Sequence, residues 1–317
     1  MIRLSEQRLR LMFDDPADYH ALIAKGLSFQ HRPNPTEKLN LLKSGYFSLE
    51  LFQALICGGS PYEMAPVNYI WQRLVASRIV APSFGHMPGA FADHSIDTPV
   101  LLEHLRGDTF QNLFAPPAAL ADRYSDALLS IDVLKEDQPY RGSGFIAKAT
   151  HNRPSFIVTC RHNLDPNAGI EVQAITTASG LVLVAGEPIF SDLHDLCILP
   201  LVEDVAAPAF RFSTSATMFD DVYTLGYPNL PGALPVLMGH RGEVNAIADL
   251  YLQKSEAIII SNLVAPGSSG CPVLLSDGWC VGMTISWLEG EVAGGEKTRF
   301  SAALPAAAIL AFIQAKH

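Results

Sequence analysis

The chain has 317 residues, of which 49% are hydrophobic and 17% charged, enough to bury a full core and to fill two domains. Its formal net charge of −10 excludes a broad phosphate-binding surface, so neither nucleic acid nor an anionic membrane is an expected partner. The N-terminal MIRLSEQRLRLMFDDP has no signal-peptide core, and the longest apolar run, Ala302–Ile313, contains Pro305 and is too short to span a bilayer, so a soluble cytoplasmic protein is expected.

In chain order, Glu6–Phe13 reads as a short amphipathic helix and Pro16–Lys25 as a second one ending at Gly26. The run His31-Arg32-Pro33-Asn34-Pro35 stops helix formation. Ser48 is placed to cap a helix carrying Leu49, Leu51, Phe52, Leu55 and Ile56, which Gly58-Gly59 would close. Ser60-Pro61-Tyr62-Glu63 has the form of a capping box. Pro66 then restarts or kinks a helix whose Val67, Ile70, Leu74 and Val75 recur at helical spacing. Short helices around a Gly turn suggest a helix-turn-helix, or loosely a winged helix. Lys38, Lys43, Arg73 and Arg78 against Glu37, Glu50 and Glu63 leave no basic face, so this segment is expected to contact protein.

Residues 81–124 are punctuated by Pro, Gly and His around a helical piece, Val100–Leu105, and read as a connector. The expected boundary lies near Asp122–Ser125. It separates a mostly helical interaction or regulatory domain, 1–124, from a second domain, 125–317. From there the pattern turns to strands: Ala127–Leu134, Ser143–Ala147, Ser155–Thr159, Leu181–Ala185, Leu196–Leu201, Val222–Tyr227, Ala257–Ser261, Pro272–Leu275 and Cys280–Trp287. Many short apolar runs between turn residues indicate an all-β barrel or sandwich, and Leu304–Ala315 reads as a terminal helix.

Cys57, Cys160, Cys197, Cys271 and Cys280 form no close pairs. Without a C-x-x-C, an H-E-x-x-H or a clustered His/Cys set, free buried thiols are expected, with no metal and no cofactor. Cys271, two residues past Ser269, is open to a redox role or to simple burial.

Chemistry gathers in Ala265–Val273, where Gly267-Ser268-Ser269-Gly270-Cys271-Pro272 has the form G-x-S-G-x-P. A serine hydroxyl becomes a useful nucleophile only when a base takes its proton and donors receive the oxyanion. Gly267 lets the backbone turn sharply and aim the N–H groups of Gly267 and Ser269 into one pocket. Upstream, the apolar run from Phe156 ends in His162, the candidate base. Asp195 opens the buried run DLCIL and is preferred over Asp192 as the carboxylate that orients the imidazole, because a rigid, partly buried position suits that task.

With these residues in hand, the chain resembles the trypsin-like (chymotrypsin-fold) serine endopeptidases, and most closely their short HtrA-type protease domains without a PDZ module. The matching pieces are GSGFIA at Gly142–Ala147, FIVTCRH ending at His162, DLCIL from Asp195, VYTLGYP at Val222–Pro228, GSSGCPV and the closing FSAALP. Spacings of 33 residues from His162 to Asp195 and 74 from Asp195 to Ser269 suit compact barrels. The resemblance covers about Ser125–Ala315 and implies a mainly β, double antiparallel β-barrel with the site in the cleft, behind a small N-terminal helical domain. It also implies that Ser286 and Trp287 lie on a strand that pairs with an extended substrate, and that Leu263 forms the base of the primary specificity pocket. With no carboxylate at Leu263, small or medium apolar residues before the scissile bond are expected. Cys271 stands where the family usually has glycine. Ser268 stands where cleavage-activated relatives carry an aspartate that pairs with a new α-amino group. The expected function is therefore a serine endopeptidase acting on protein or peptide, regulated through a protein partner of the N-terminal domain. The alternative is a catalytically silent protease-fold module that binds peptides. A small-molecule esterase lacks the G-x-S-x-G elbow.

Overall fold

A computed structural model of the chain describes residues 1–14, 21, 46–57, 64–82, 94–107, 109–149, 154–202, 208–230, 234–250, 255–291 and 297–316. The expected helix Pro16–Lys25, the Gly58-Gly59 stop and the Ser60–Glu63 capping box lie largely or wholly outside these residues. The chain divides into two compact units, Met1–Ala115 and Pro116–His317.

The first unit is built on helices α1 (Ile2–Asp14), α2 (Leu49–Cys57), α3 (Met64–Ala76) and α4 (Thr98–Arg106), with short strands β1 (Tyr46–Phe47), β2 (Val80–Pro82) and β3 (His94–Ile96). Ser48 caps α2 by accepting from Leu51 N at 3.2 Å. Val67, Ile70, Trp71 and Leu74 bury one stripe of α3 against Phe52 and Leu55 of α2. Pro66 neither ends nor restarts α3, since it occupies the first turn, where a backbone N–H has no helical acceptor in any case. The sheet order is β1-β3-β2, all antiparallel, and among the described residues these strands follow and flank the helices. Asp97 caps α4, and His104 on that helix is almost fully buried beside Thr109, where desolvation lowers its pKa from 6.5 to about 4 despite a hydrogen bond with Thr109.

The second unit is mainly β. After helix α5 (Pro117–Arg123) come β4 (Leu128–Lys135), β5 (Gln138–Lys148), β6 (Phe156–Thr159), β7 (Ile170–Thr176), β8 (Ile189–Phe190), β9 (Cys197–Pro200) and β10 (Phe210–Arg211). They form one seven-stranded sheet in the order β7-β4-β5-β6-β9-β8, with β10 parallel to β5. Next, β11 (Asp221–Gly226), β12 (Met238–Leu250), β13 (Ser255–Ile260), β14 (Pro272–Leu275), β15 (Cys280–Glu291) and β16 (Lys297–Pro305) close into a barrel, and helix α6 (Ala306–Lys316) follows. Val222, Val244, Ile258, Ile260, Val273, Val281 and Ala303 fill that barrel. This half-barrel followed by a closed barrel is the chymotrypsin-like double-barrel arrangement, with the first half less closed than the second. Leu181–Ala185 makes only isolated bridges, Thr176 with Val182 and Ala185 with Leu201. No helix among the described residues is long and apolar enough to cross a membrane.

Candidate active site

His162 sits on a single 3₁₀ turn, Arg161–Asn163, directly after β6. The antiparallel pairing of β6 with β9, Thr159 opposite Cys197, brings the loop before β9 alongside that turn. There His162 Nδ1 lies 2.6 Å from Asp195 Oδ2, and the His162 backbone N–H donates to Asp195 Oδ1 at 3.0 Å. Burial pushes the Asp195 pKa up. The hydrogen bond and charge of His162, with the backbone N–H groups of His162 and Arg161, outweigh this and hold it below the ordinary carboxylate value. Arg161 braces the same corner by donating to Asp165 Oδ2 at 2.9 Å and to Ser191 O at 3.0 Å. Asp192 is exposed and His194 is half-buried.

The serine loop enters between β13 and β14. Ser268 N donates to Ala265 O, closing a turn whose third residue is Gly267 at φ 91°. A Cβ on Gly267 would meet Asn229 N at 2.7 Å, so glycine is required by space as well as by dihedral. Gly270, at φ 92°, lies so close to Ser143 O that a side chain would collide at 2.0 Å.

The carbonyls of Pro266 through Ser269 each have a partner. Pro266 O accepts from Asn229 N at 2.7 Å, and Gly267 O accepts from Ser143 Oγ at 2.7 Å. Ser268 O accepts from Cys271 N and from the Thr284 hydroxyl. Ser269 O accepts from Ser143 N and from Asn163 Nδ2, both at 3.0 Å. The N–H groups of Ser268, Gly270 and Cys271 are likewise spent inside the fold. Among the described residues, only the N–H groups of Gly267 and Ser269 are left in Gly267–Cys271 without an acceptor. Two neighbouring free amides on a rigid loop form an anion-receiving nest.

Ser269 Oγ donates to Ile285 O at 3.0 Å. That carbonyl is available because Ile285 is the extra residue of a β-bulge in β15, where the register with β16 slips between Thr284 and Ser286. The serine is thus brought into the neighbourhood of the histidine turn, through Asn163, but its hydroxyl is turned onto Ile285 rather than onto the imidazole. Ser286 and Trp287 continue β15 opposite Ala302 and Ser301. Leu263 is 63% exposed and borders a cavity of ≈ 10 Å³ that also touches Ser268 and Cys271. Cys271 is buried, its thiol packed against Gly226 and its pKa pushed up to about 11 by desolvation, which disfavours the reactive thiolate.

Ser143 and Asn163 carry structural roles not evident in the sequence. GSG suggests only a strand start, and no local pattern links Asn163 to a carbonyl 106 residues away.

Residues 142–283 match the family model of the trypsin-like peptidase domain. No curated protein matches the chain. Among solved structures it is similar to the HtrA-type protease AlgW with a tripeptide, at 20% identity and a TM-score of 0.49, over 62% of each chain. The same protease with a decapeptide gives 17% identity and a TM-score of 0.48, over 62% of this chain and 66% of that one. The chain thus spans less than two thirds of the length of these structures. The family match over residues 142–283 falls on the strands of the two barrels, so that stretch of the chain is similar to a trypsin-like peptidase domain.

Proposed function

We propose that the chain is a serine endopeptidase using Ser269, His162 and Asp195 through an acyl-enzyme. The observation that carries this reading is the pair of free amides at Gly267 and Ser269 on a loop whose Pro266–Ser269 carbonyls are held, beside a His162–Asp195 couple at 2.6 Å. In the reaction Ser269 Oγ leaves Ile285 O, gives its proton to His162 Nε2 and attacks the scissile carbonyl carbon. The carbonyl electron pair moves onto oxygen and is received by the N–H groups of Gly267 and Ser269. Collapse breaks the C–N bond, and His162 returns the proton to the departing amine. Water then repeats the sequence on the ester. Asp195 holds Nδ1–H and so keeps the lone pair at Nε2.

The exposed, uncharged Leu263 favours small or medium apolar residues before the scissile bond, and the backbone of Ser286 and Trp287 would pair with the extended peptide. The outward face of α3, formed by Ala65, Pro66, Tyr69, Gln72 and Ala76, has no cation, while Arg73 is spent on Leu113 O at 2.6 Å. This uncharged face favours a protein partner for the N-terminal region, residues 1–124, one that regulates or targets the protease. All five cysteines are free, in keeping with a cytoplasmic location.

One observation favours the alternative of a silent peptide-binding module: the Ser269 hydroxyl rests on Ile285 O. A fluorophosphonate probe separates the two. The enzyme reading expects labelling of Ser269 that Ser269→Ala abolishes; a folded chain that binds peptide but stays unlabelled overturns it.

A further inference from the structure

Cys160 immediately precedes the histidine turn and is fully buried, its thiol donating to Thr284 O at 3.3 Å. Three other cysteines, Cys197, Cys271 and Cys280, are also buried. What distinguishes Cys160 is its company. Its sulfur, an imidazole nitrogen of His162 and a carboxylate oxygen of Asp195 all lie within 4.8 Å of one another, the one such group of three among the described residues. We propose that Cys160, His162 and Asp195 form a zinc site that acts as a reversible brake on the protease; the brake, though not the metal binding, rests on the function proposed above.

The donor set is right for this ion. One thiolate, one imidazole and one carboxylate suit tetrahedral Zn²⁺, with bonds of about 2.3, 2.0 and 2.0 Å and a fourth position left for water. Ligand atoms around such an ion sit roughly 3.4 Å apart. The present spacing brackets that value, with the imidazole–carboxylate pair at 2.6 Å and the whole group within 4.8 Å, so short side-chain movements suffice. Charge also balances: a thiolate and a carboxylate neutralise the ion, which removes the cost of leaving a bare charge at a half-buried site. Asp195 Oδ1 stays held by the His162 N–H, leaving Oδ2 to turn toward the metal. His162 and Asp195 keep side-chain exposures of 50% and 35%, which gives an entry path from solvent.

The inhibition follows from proton positions. Nδ1 is the ring nitrogen that faces Asp195 at 2.6 Å, and a carboxylate there accepts a proton held on Nδ1. When zinc takes the Nδ1 lone pair, the ring proton is left on Nε2, which then has no lone pair to accept the Ser269 proton. At Cys160 the S–H bond breaks, a Zn–S bond forms, and the thiol proton passes to solvent. No oxidant or reductant is involved. Chelation reverses each step.

The test uses the full chain carrying Ser269→Ala, titrated with Co²⁺ as a spectroscopic substitute for zinc. A thiolate-to-cobalt charge-transfer band is expected, displaced by Zn²⁺ and absent when Cys160→Ser is added. Cys160→Ser keeps the side-chain volume, and circular dichroism verifies its fold; Cys160→Ala is the second variant. Competition titration should show zinc bound roughly 100-fold or more weakly without the thiol. Absence of the band in folded protein, or equal zinc affinity in all variants, overturns the site whether or not the chain is a protease. In the Ser269 chain, peptidase activity should fall at least about tenfold with zinc and return with EDTA, and the ratio with and without zinc should approach one in the Cys160 variants. The same ratio in wild type and variants overturns the brake. A cobalt band in a chain with no peptidase activity supports the site while the protease reading falls.

Discussion

The two halves of the candidate site are built in opposite ways. The serine loop is rigid: its carbonyls from Pro266 to Ser269 are individually held, its two positive-φ glycines have no room for a side chain, and Ser268, Gly270 and Cys271 are buried. The histidine half is one 3₁₀ turn with the imidazole half-exposed and tied at Nδ1 to one partly exposed carboxylate. Donors that receive developing charge lose their value if they must reorganise during the reaction. A base that accepts and later returns a proton needs small motions instead. The contrast is what acyl transfer requires, and it predicts unequal consequences for damage on each side.

The largest expected effect comes from the histidine side. Asp195→Asn preserves shape but supports the wrong tautomer, with the Nε2 lone pair lost, and should lower kcat by about 10⁴-fold with little change in KM. A loss under tenfold would mean that Asp195 does not orient the base. The same carboxylate gives this half a pH dependence that the serine loop lacks. Its folded pKa lies below the ordinary value, so the unfolded state binds the proton first on acidification. Its contribution to stability is thus present in full above the unfolded-state pKa of about 3.9 and is lost as pH falls through the lower folded pKa. Urea unfolding of wild type and Asp195→Asn across this window should show their difference shrinking toward acid; a constant difference would contradict it.

On the serine side, Ser143→Ala removes the hydroxyl that holds Gly267 O and also accepts from Tyr227 N at 2.9 Å. Freed to tilt, the loop should lose alignment of its two amides. We expect kcat lower by about 10²-fold, KM nearly unchanged, and affinity for a peptide boronate falling with kcat rather than with KM. A purely structural role would lower the melting temperature without that split. Asn163→Leu, which removes one of two donors to Ser269 O, should cost less, about tenfold.

Legibility divides along similar lines. The buried strands β6, β9 and β14 announce themselves as apolar runs because both of their faces meet protein. The 13-residue β12 does not, because its residues are mostly exposed or half-buried and its sequence, MGHRGEVNAIADL, is correspondingly polar. The converse error is Leu181–Ala185. It is apolar enough to suggest a strand, yet Leu181, Val182 and Val184 are exposed and the segment has no continuous sheet neighbour. His162, Asp195 and Ser269 stand out because each ends or opens an apolar run. Ser143, Asn163 and the partnership of Cys160 with Asp195 depend on contacts across the fold, which no local pattern records.

The smallest expected effect is none at all, and it concerns activation. In trypsin-like enzymes switched on by cleavage, a new α-amino group inserts beside an aspartate next to the nucleophile and orders the anion-receiving loop. Here that neighbour is Ser268, buried and uncharged, its hydroxyl accepting from Ala265 N at 3.3 Å. The adjoining cavity of ≈ 10 Å³ is bordered by Thr224, Gly226, Pro228, Met238, His240 and other residues, without a carboxylate. An ammonium forced into it would be an uncompensated buried charge, costing several kcal/mol. The segment that would have to swing in is also anchored. Tyr124, 1% exposed, stacks on Phe210 at 4.4 Å, and Asp126 accepts from Ser179 N at 2.9 Å. Meanwhile the carbonyls of Pro266 through Ser269 are already held in the uncut chain, so nothing remains for a new terminus to order. Intact protein, its mass verified before and after assay, should therefore turn over a suitable peptide as fast as protein nicked near Ser125. Activity arising only after that cleavage would mean that the rigid half of the site is not rigid until it is cut.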